Sequence, residues 1–296
     1  MNMVRHDKVA QILMNAFLIL LTICCVAPFL LMVMASFTEE KTLIRNGYSF
    51  FPAKFSLETY RYLAKSISTI GRGYLMTVLV TVIGTFCSIV ITVLFAYPIS
   101  RKDLPFRRGI SFFLFFTMLF NGGLVPTYLL YSNALHIKDT IFALIVPSLL
   151  MNAFYVIMMR TYFTSSIPDS LIEAAKLDGA GEAGILTKIV LPLSKPMIVT
   201  LVLMIGLGYY NDWLNGMYYV SDQKLYTIQM ILNNMISNIQ FLSKNASLFG
   251  AGTAASVPTV GIRMAIAVIA VVPIMVVYPF LQKYFVKGIV IGGVKE

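Results

Sequence analysis

The chain has 296 residues, of which 58% are hydrophobic and only 12% are charged. Soluble domains are typically about 25% charged, so this composition excludes a soluble enzyme, a disordered chain and a disulfide-stapled secreted module. It predicts an all-α polytopic membrane protein. Lys and Arg number 23 against 13 acidic residues. We expect membrane lipid beside these charges, in preference to nucleic acid or an acidic substrate.

Six apolar runs have about the 20 residues that a membrane-crossing helix needs. They are Ile12–Phe37, Gly73–Pro98, Gly109–Tyr131, Thr140–Phe163, Met197–Asn215 and Gly261–Phe285. The first run is much longer than the apolar core of a signal peptide, so we expect it to be an uncleaved helix. The three cysteines lie inside apolar runs without metal-ligand spacing, and no metal site is expected.

The distribution of basic residues predicts that the N- and C-termini are cytoplasmic. In that orientation thirteen of the 23 Lys and Arg residues face the cytoplasm, and the loop Ser100–Arg108 carries four of them. Two segments on the opposite side are then long enough to fold, Thr38–Arg72 and the extracytoplasmic loop 216–260. The second has apolar positions suited to a short amphipathic helix at the membrane surface.

The cytoplasmic loop between the fourth and fifth runs predicts a short helix over about Leu171–Asp178. Ser170 and Glu173 have the S-x-x-E spacing of a capping box. Pro168 lies just upstream, where it cannot extend a helix backwards, and Gly179 suits the left-handed position after a helix end. Two turns are too short to be stable alone in water, so this helix is expected to lie against another surface.

The same loop matches a known signature. The motif E-A-A-x3-G-x9-I-x-L-P is met by Glu173-Ala174-Ala175, Gly179, Ile189 and Leu191-Pro192. It resembles the EAA loop of inner-membrane permeases in binding-protein-dependent ABC importers, and here it occupies residues 165–192. A purely local capping role for Glu173 does not account for the glycine and the Leu-Pro pair in register.

Other segments are similar to the carbohydrate-uptake group of these permeases, the MalG-like and LplC-like proteins. They are Phe51–Tyr60, Asn121–Tyr128, Asn211–Trp213, Tyr284–Gly288 and Gly292–Lys295. The resemblance covers nearly the whole chain. It implies a single transmembrane permease domain over residues 1–296, with the six-helix, type I (MetI-like) ABC importer architecture, in the bacterial cytoplasmic (inner) membrane.

The resemblance also implies a division of labour. The EAA helix of this family is a coupling helix that sits in a cleft of a separate ATP-binding subunit, whose closure drives alternating access. This chain has no G-x-x-x-x-G-K-[ST] motif, so we expect no enzyme activity and no cofactor in it, with ATP and Mg bound by partner subunits. The implied partners are a homologous second permease subunit, two ATP-binding cassette subunits, an extracytoplasmic solute-binding protein and a saccharide. The expected ATPase-coupling residues are Glu173, Ala174, Ala175, Asp178, Gly179, Ala180, Leu191 and Pro192.

Polar residues within the apolar runs are candidates for the substrate pathway. Asn211 and Asp212 can hydrogen-bond sugar hydroxyls, Trp213 can stack on a sugar ring, and Asn215 lies on the same segment. The alternative is inter-helix hydrogen bonding with an interfacial Trp anchor. The glycines of Asn121-Gly122-Gly123 either permit tight helix packing or open a helix next to the pathway.

Two other classes of protein compete with a permease subunit. A stand-alone secondary transporter or channel for a small polar solute is expected to carry ionisable residues in mid-span and often an inverted repeat, but only Asp212 fits. A membrane-embedded enzyme needs clustered His, Asp or Glu, and the acidic residues here are scattered. The LplC-like resemblance suggests oligosaccharides from complex polysaccharides as the cargo.

Overall fold

The computed structural model describes residues 3–147, 149–244 and 259–293. It is nearly all-helical, with 79% helix and no strand in those ranges, which confirms the all-α class. The described residues divide into two compact units. One is drawn from Met1–Ser68 and Asn234–Ile274, and the other from Thr69–Asn233 and Met275–Glu296.

Long and short helices are interspersed along the chain. The first eight are α1 Met3–Ser36, α2 Glu40–Asn46, α3 Glu58–Ala64, α4 Ile67–Ser100, α5 Arg107–Leu119, α6 Leu124–Leu129, α7 Phe142–Ile145 and α8 Ala153–Ser166. They continue as α9 Asp169–Leu177, α10 Glu182–Ile185, α11 Leu191–Leu193, α12 Lys195–Asn211, α13 Leu214–Tyr219, α14 Ile228–Lys244 and α15 Thr259–Gly293. Turns of π-helix occupy Leu130–Ala134 and Leu186–Val190, and a 3₁₀ turn occupies Gln223–Leu225.

Two helices of the described chain are each long and apolar enough to cross a membrane, Ala10–Ser36 within α1 and the whole of α4. They confirm the first two predicted spans and extend beyond the predicted bounds of the second. Pro28 and Pro98 lie inside these helices without ending them. The apolar part of α1 is not buried within the chain, as expected of a helix that is hydrophobic on all sides and faces lipid or another subunit.

The third predicted span is not one continuous helix. α5 and the segment Leu124–Ala134 meet at a bend of 110°. The side chain of Asn121 accepts a hydrogen bond from the Gly123 amide at 2.9 Å, and Gly123 has a φ of +85°, so local turn chemistry replaces the helical ladder. A side chain added at Gly122 or Gly123 meets nothing within 4 Å. Within this chain the glycines are therefore not packed tightly against a neighbour, and the helix is open at this point. A position next to the pathway stays a prediction.

The fourth predicted span, Thr140–Phe163, is also wrong as a single helix. α7 ends at Ile145, and α8 begins only at Ala153. Pro147 has no N–H with which to continue the helix from α7. Asn152 then starts a new helix, because its side chain accepts a hydrogen bond from the Phe154 amide at 2.9 Å.

The last two predicted spans are helical with different ends. α12 stops at Asn211 rather than Asn215, and it is bent by 79° from the segment Glu182–Leu193 that precedes it. α15 is longer than predicted at both ends. If each bent helix pair is counted as one span, the described residues contain up to four spans. Six spans and cytoplasmic termini stay predictions.

The second unit has an apolar core that joins α4, α8, α9 and α12. Its largest fully buried side chain is Tyr209 of α12. A Cβ added at Gly84 of α4 would lie 2.5 Å from the Tyr209 ring, so only glycine permits this approach. The Tyr209 hydroxyl donates to the Ile145 carbonyl at 2.9 Å, which ties α7 to the same core.

The segment Thr38–Arg72 folds as predicted, into α2 and α3. Both carboxylate oxygens of Glu40 accept backbone N–H groups at the start of α15, from Val260 at 2.8 Å and from Gly261 at 2.9 Å. This arrangement satisfies two of the four N–H groups that a helix N-terminus leaves unpaired. It therefore fixes the start of α15 within its unit.

The predicted helix of the loop 216–260 is α14, which confirms its helical character; a place at the membrane surface stays a prediction. Residues 245–258 of this loop, and Val294 and Lys295 of the C-terminal motif, lie outside the described residues. The first turns of α14 are buried on α4, where Ile231 approaches Gly73. The Ile228 amide donates to Thr77 Oγ1 at 2.8 Å.

Candidate functional site

The candidate coupling loop contains α9, which begins two residues earlier than predicted. Its first residue is Asp169, directly after Pro168, and no side chain caps it. Ser170 therefore lies inside the first turn, and the capping box that we predicted for Ser170 and Glu173 is wrong. The extended backbone of Pro168 leads straight into the helix, and the carboxylate of Asp169 lies in the first turn, where the helix dipole favours a negative charge.

The other end of α9 confirms the prediction for Gly179. Gly179 has a φ of +80°. Its N–H donates to the Lys176 carbonyl at 3.0 Å, and the Ala180 N–H donates to the Ala175 carbonyl at 2.9 Å. This pair of hydrogen bonds is the Schellman motif. A side chain at Gly179 meets no neighbour within 4 Å, so the backbone conformation, and not lack of space, favours glycine.

One face of α9 is buried and the other is open. Ile172 is 5% exposed and belongs to the core of its unit, and the half-buried Ala175 packs beside it. The helix therefore lies against a surface, as its length predicted. The exposed residues of the open side include Glu173, Ala174, Leu177, Asp178, Gly179 and Ala180. Leu177 is 90% exposed. It was not selected from the sequence as a functional residue, although its position away from the helical face of Ile172 was a usable signal.

Ion pairs hold both ends of α9 to the turn Arg101–Asp103, which links α4 to α5. Lys102 Nζ lies 2.7 Å from Asp169 Oδ2, in the first turn of α9. Lys176 Nζ, in the last turn, lies 3.0 Å from Asp103 Oδ2. These ion pairs were not predicted from the sequence, because the basic loop Ser100–Arg108 was used only to assign the membrane topology. The acidic Asp103 among four basic residues was the available signal.

Lys176 also joins α9 to the start of α10. Its Nζ lies 2.9 Å from Glu182 Oε1, and the Tyr97 hydroxyl of α4 donates to Glu182 Oε2 at 2.5 Å. Arg101 Nε lies 3.7 Å from Asp103 Oδ1. These contacts form one connected network of charges between α4, α9 and α10.

Contacts in the network favour the charged forms of Asp103, Asp169 and Lys176. The hydrogen bond from Lys176 lowers the pKa of Asp103, and the hydrogen bond from Lys102 lowers the pKa of Asp169. The carboxylates of Glu182 and Asp103 raise the pKa of Lys176. All three shifts have the direction expected for opposite charges in contact.

Leu191 and Pro192 lie away from α9, at the bend that leads into α12. Pro192 lacks the N–H that would bond the carbonyl of Lys188, and the chain before it forms a π-helical turn. The Ser194 amide donates to the carbonyls of both Val190 and Leu191, at 3.0 and 3.1 Å. The structure therefore places this part of the motif where the loop joins a span.

The candidate pathway residues Asn211–Asn215 surround the break between α12 and α13. Asp212 Oδ1 accepts the Asn215 amide N–H at 3.2 Å. Asn215 is 9% exposed, and its side chain donates to the Pro147 carbonyl at 3.0 Å. This hydrogen bond joins two separate segments, as the structural alternative for these residues predicts. Asn211 and Trp213 are exposed. Asn121 lies at the separate break after α5.

The apolar spans, the helical breaks within them and the exposed, ion-paired helix between α8 and α12 define an integral membrane transport subunit. In the described residues no group of His, Cys, Asp and Glu is placed to hold a metal ion. The model of the family described as "Binding-protein-dependent transport system inner membrane component" matches residues 88–291. The chain belongs to this family.

Three relatives each cover more than 90% of this chain. The polygalacturonan/rhamnogalacturonan transport system permease protein YtcP of Bacillus subtilis (strain 168) is 38% identical over 289 residues, which cover 98% of this chain and 99% of the relative. Protein LplC of the same organism is 36% identical and covers 91% of this chain and 89% of the relative. The trehalose/maltose transport system permease protein MalG of Thermococcus litoralis is 26% identical, with 98% and 99% covered.

A solved structure shows the same fold. The crystal structure of a bacterial ABC transporter that imports the acidic polysaccharide alginate contains a chain that matches with a TM-score of 0.80 and 28% identity, covering 95% of this chain and 98% of that one. The present chain is therefore a sugar ABC importer permease with the MetI-type fold, located in the inner membrane. This confirms the resemblance seen in the sequence, and the stand-alone transporter is not favoured.

Proposed function

We propose that the chain forms half of the translocation pathway of an ATP-driven oligosaccharide importer and is coupled to ATP hydrolysis through the EAA loop. In this assembly it pairs with a homologous second permease subunit, and an extracytoplasmic solute-binding protein delivers the saccharide. Two ATP-binding cassette subunits bind ATP and Mg and carry out hydrolysis, while this chain holds no cofactor and catalyses no reaction. Six spans with both termini in the cytoplasm complete the proposal.

The observation that supports coupling most directly is the open face of α9. The side of α9 away from the buried Ile172 is exposed to solvent. It carries the side chains of Glu173, Leu177 and Asp178. A leucine that is 90% exposed beside two carboxylates suits a docking surface with an apolar centre and a charged rim. Ala174 and Ala180 keep that surface low enough for close approach. Leu191 and Pro192 contribute at the bend, by passing movement of the loop to α12.

The proposed cargo is an oligosaccharide derived from an acidic polysaccharide. YtcP is named for polygalacturonan and rhamnogalacturonan transport, and the solved relative imports alginate. Asn211, Asp212 and Trp213 are the proposed contacts of this chain along the pathway. Asn215 supports them from inside the protein, and the opening at Asn121 gives the pathway room next to α5.

A reconstituted importer tests the coupling proposal. The complete assembly is placed in proteoliposomes, and saccharide uptake and ATP hydrolysis are measured for Glu173→Lys and Gly179→Asp. We expect both variants to insert normally and to lose uptake and stimulated ATP hydrolysis. Glu58→Lys is the control, because Glu58 is also an exposed glutamate of a short helix. Normal uptake by both EAA variants would remove the loop from the mechanism.

A further inference from the structure

Both ends of α9 are held by a single turn, Arg101–Asp103. The Lys102–Asp169 pair at 2.7 Å holds the first turn of the helix, and the Asp103–Lys176 pair at 3.0 Å holds the last. These two points are separated by about 10 Å along the helix axis, at the usual rise per residue. Adjacent residues of the turn at the end of α4 therefore contact both ends of α9 through their side chains.

The backbone alone connects α9 unequally to its neighbours. Pro168 gives it a stiff junction with α8, whereas the junction with α10 contains Gly179 and Gly181. Lys176 bridges this glycine junction through its contact with Glu182 at 2.9 Å. Since Glu182 also accepts the hydroxyl hydrogen bond of Tyr97, the side chains connect α9, α10 and α4 where the backbone is most pliable.

The apolar contact of α9 cannot provide the same control of direction. Ile172 and Ala175 pack into the core, but hydrophobic contact is non-directional, so it sets the position of the helix more than its rotation. Two ion pairs at opposite ends fix that rotation. Exposed ion pairs contribute little to folding stability. We therefore assign these two ion pairs a geometric role, which is to set the orientation of α9.

We propose that the turn Arg101–Asp103 is a relay that transmits the movement of α9 to α4. Lys102, Asp103, Asp169 and Lys176 are its positioning residues. The inference rests on the proposed function, in which an ATP-binding subunit moves α9. Movement then reaches α12 through the backbone of α10 and α11, and it reaches α4 through the relay. Because Gly84 of α4 packs on Tyr209 of α12, both routes act on the same packed pair of helices.

Charge exchange across the Lys102–Asp169 pair tests the relay. The complete importer is reconstituted with Lys102→Glu, with Asp169→Lys, or with both, and the amount of saccharide imported per ATP hydrolysed is measured. We expect each single variant to lower this ratio about fivefold, a coupling of the size common for contacting residues. The double variant should recover at least half of the wild-type ratio, because it restores an ion pair of reversed polarity.

Two further variants separate the relay from general effects. Lys54→Glu breaks the exposed Lys54–Glu39 pair of 3.7 Å, which lies outside the coupling loop, and should leave the ratio unchanged. Lys102→Met combined with Asp169→Asn removes the pair without repulsion. It should lower the ratio while the thermal unfolding midpoint and the co-purification of the ATP-binding subunits stay at wild-type values.

The outcomes distinguish the relay from the proposed function. Single variants with the wild-type ratio, or a double variant no better than the singles, would overturn the relay. Loss of the ATP-binding subunits from the single variants would also overturn it, because the pair would then act in docking. Failure of Glu173→Lys to disturb coupling, with the relay variants behaving as expected, would instead contradict docking through the open face of α9.

Discussion

Two short helical segments of the second unit are held to α4 by opposite means. The first turns of α14 are fixed by burial: Ile228, Met230, Ile231 and Leu232 are all buried, and Gly73 allows the close approach of Ile231. α9 has one buried side chain, Ile172, and is held at its ends by ion pairs. Burial of apolar groups gives stability, whereas exposed ion pairs give direction at little energetic cost.

In the proposed function, this difference separates a structural contact from a contact that transmits movement. The start of α14 has no exposed apolar residue comparable with Leu177, so its surface is already occupied within the unit. α9 leaves Leu177, Glu173 and Asp178 exposed, and in the proposed function another protein binds them. A helix that must transmit movement is best held by contacts that set its angle and leave its outer face free, and α9 satisfies both conditions.

The largest effect should follow from adding a side chain at Gly73, where α4 contacts the start of α14. A Cβ at Gly73 would lie 2.5 Å from Ile231 Cδ1 and 3.4 Å from the Ile228 backbone. We expect Gly73→Val to destabilise the protein by about 1–3 kcal/mol through overpacking, measured as a lower thermal unfolding midpoint in detergent. Gly71→Val is the matched control, since Gly71 lies on the same helix with nothing within 4 Å. Equal midpoints for the two variants would contradict the burial of α14.

A smaller effect should follow from changing the end of α9. Gly179→Ala places a side chain in free space but in a left-handed conformation, which costs about 1 kcal/mol. We expect a partial loss of uptake, because the residues after α9 shift, with a midpoint close to the wild type. Gly181→Ala is the control, because Gly181 has an ordinary φ of −72° and open surroundings. Uptake reduced equally by both substitutions would argue against the left-handed helix end.

Local chemistry that one residue determines was predictable from the sequence. Gly179 after α9 is an example, because a left-handed helix end selects glycine almost regardless of its surroundings. The EAA motif identified the family for a similar reason, since its spacing does not depend on the rest of the fold. The capping box was wrong because Pro168 and Asp169 already start the helix, and the S-x-x-E spacing does not show which residue comes first.

Features that depend on contacts distant in the sequence were not predictable. The pairs Lys102–Asp169 and Asp103–Lys176 join residues more than 60 positions apart, and nothing local to either loop indicates them. The third and fourth spans were predicted as continuous because hydropathy averages over a window. It does not register a single turn at Asn121–Gly123 or a helix restarted by Asn152.

The smallest effect concerns pH and again contrasts the two segments. The pKa values of Asp103 and Asp169 are lowered from the ordinary 3.8, so their contribution to holding α9 is complete above that value and is lost as the pH falls through the shifted pKa. Lys176 has a pKa raised from 10.5, so its contribution is complete below 10.5 and is lost only as the pH rises through the raised value. The strength with which these ion pairs hold α9 should therefore be constant from about pH 5 to pH 9.

Spin labels test this expectation, because they report how mobile each helix is. In a variant whose native cysteines are replaced by alanine, a nitroxide on Ala174→Cys reports the mobility of α9, and one on Asn233→Cys reports α14. We expect the label on α9 to gain mobility only below about pH 4, as the two carboxylates become protonated. The label on α14 should not respond, because burial rather than charge holds the start of that helix. Equal responses at the two positions would show that acid loosens the whole unit, and the contrast between ion pairing and burial would then be wrong.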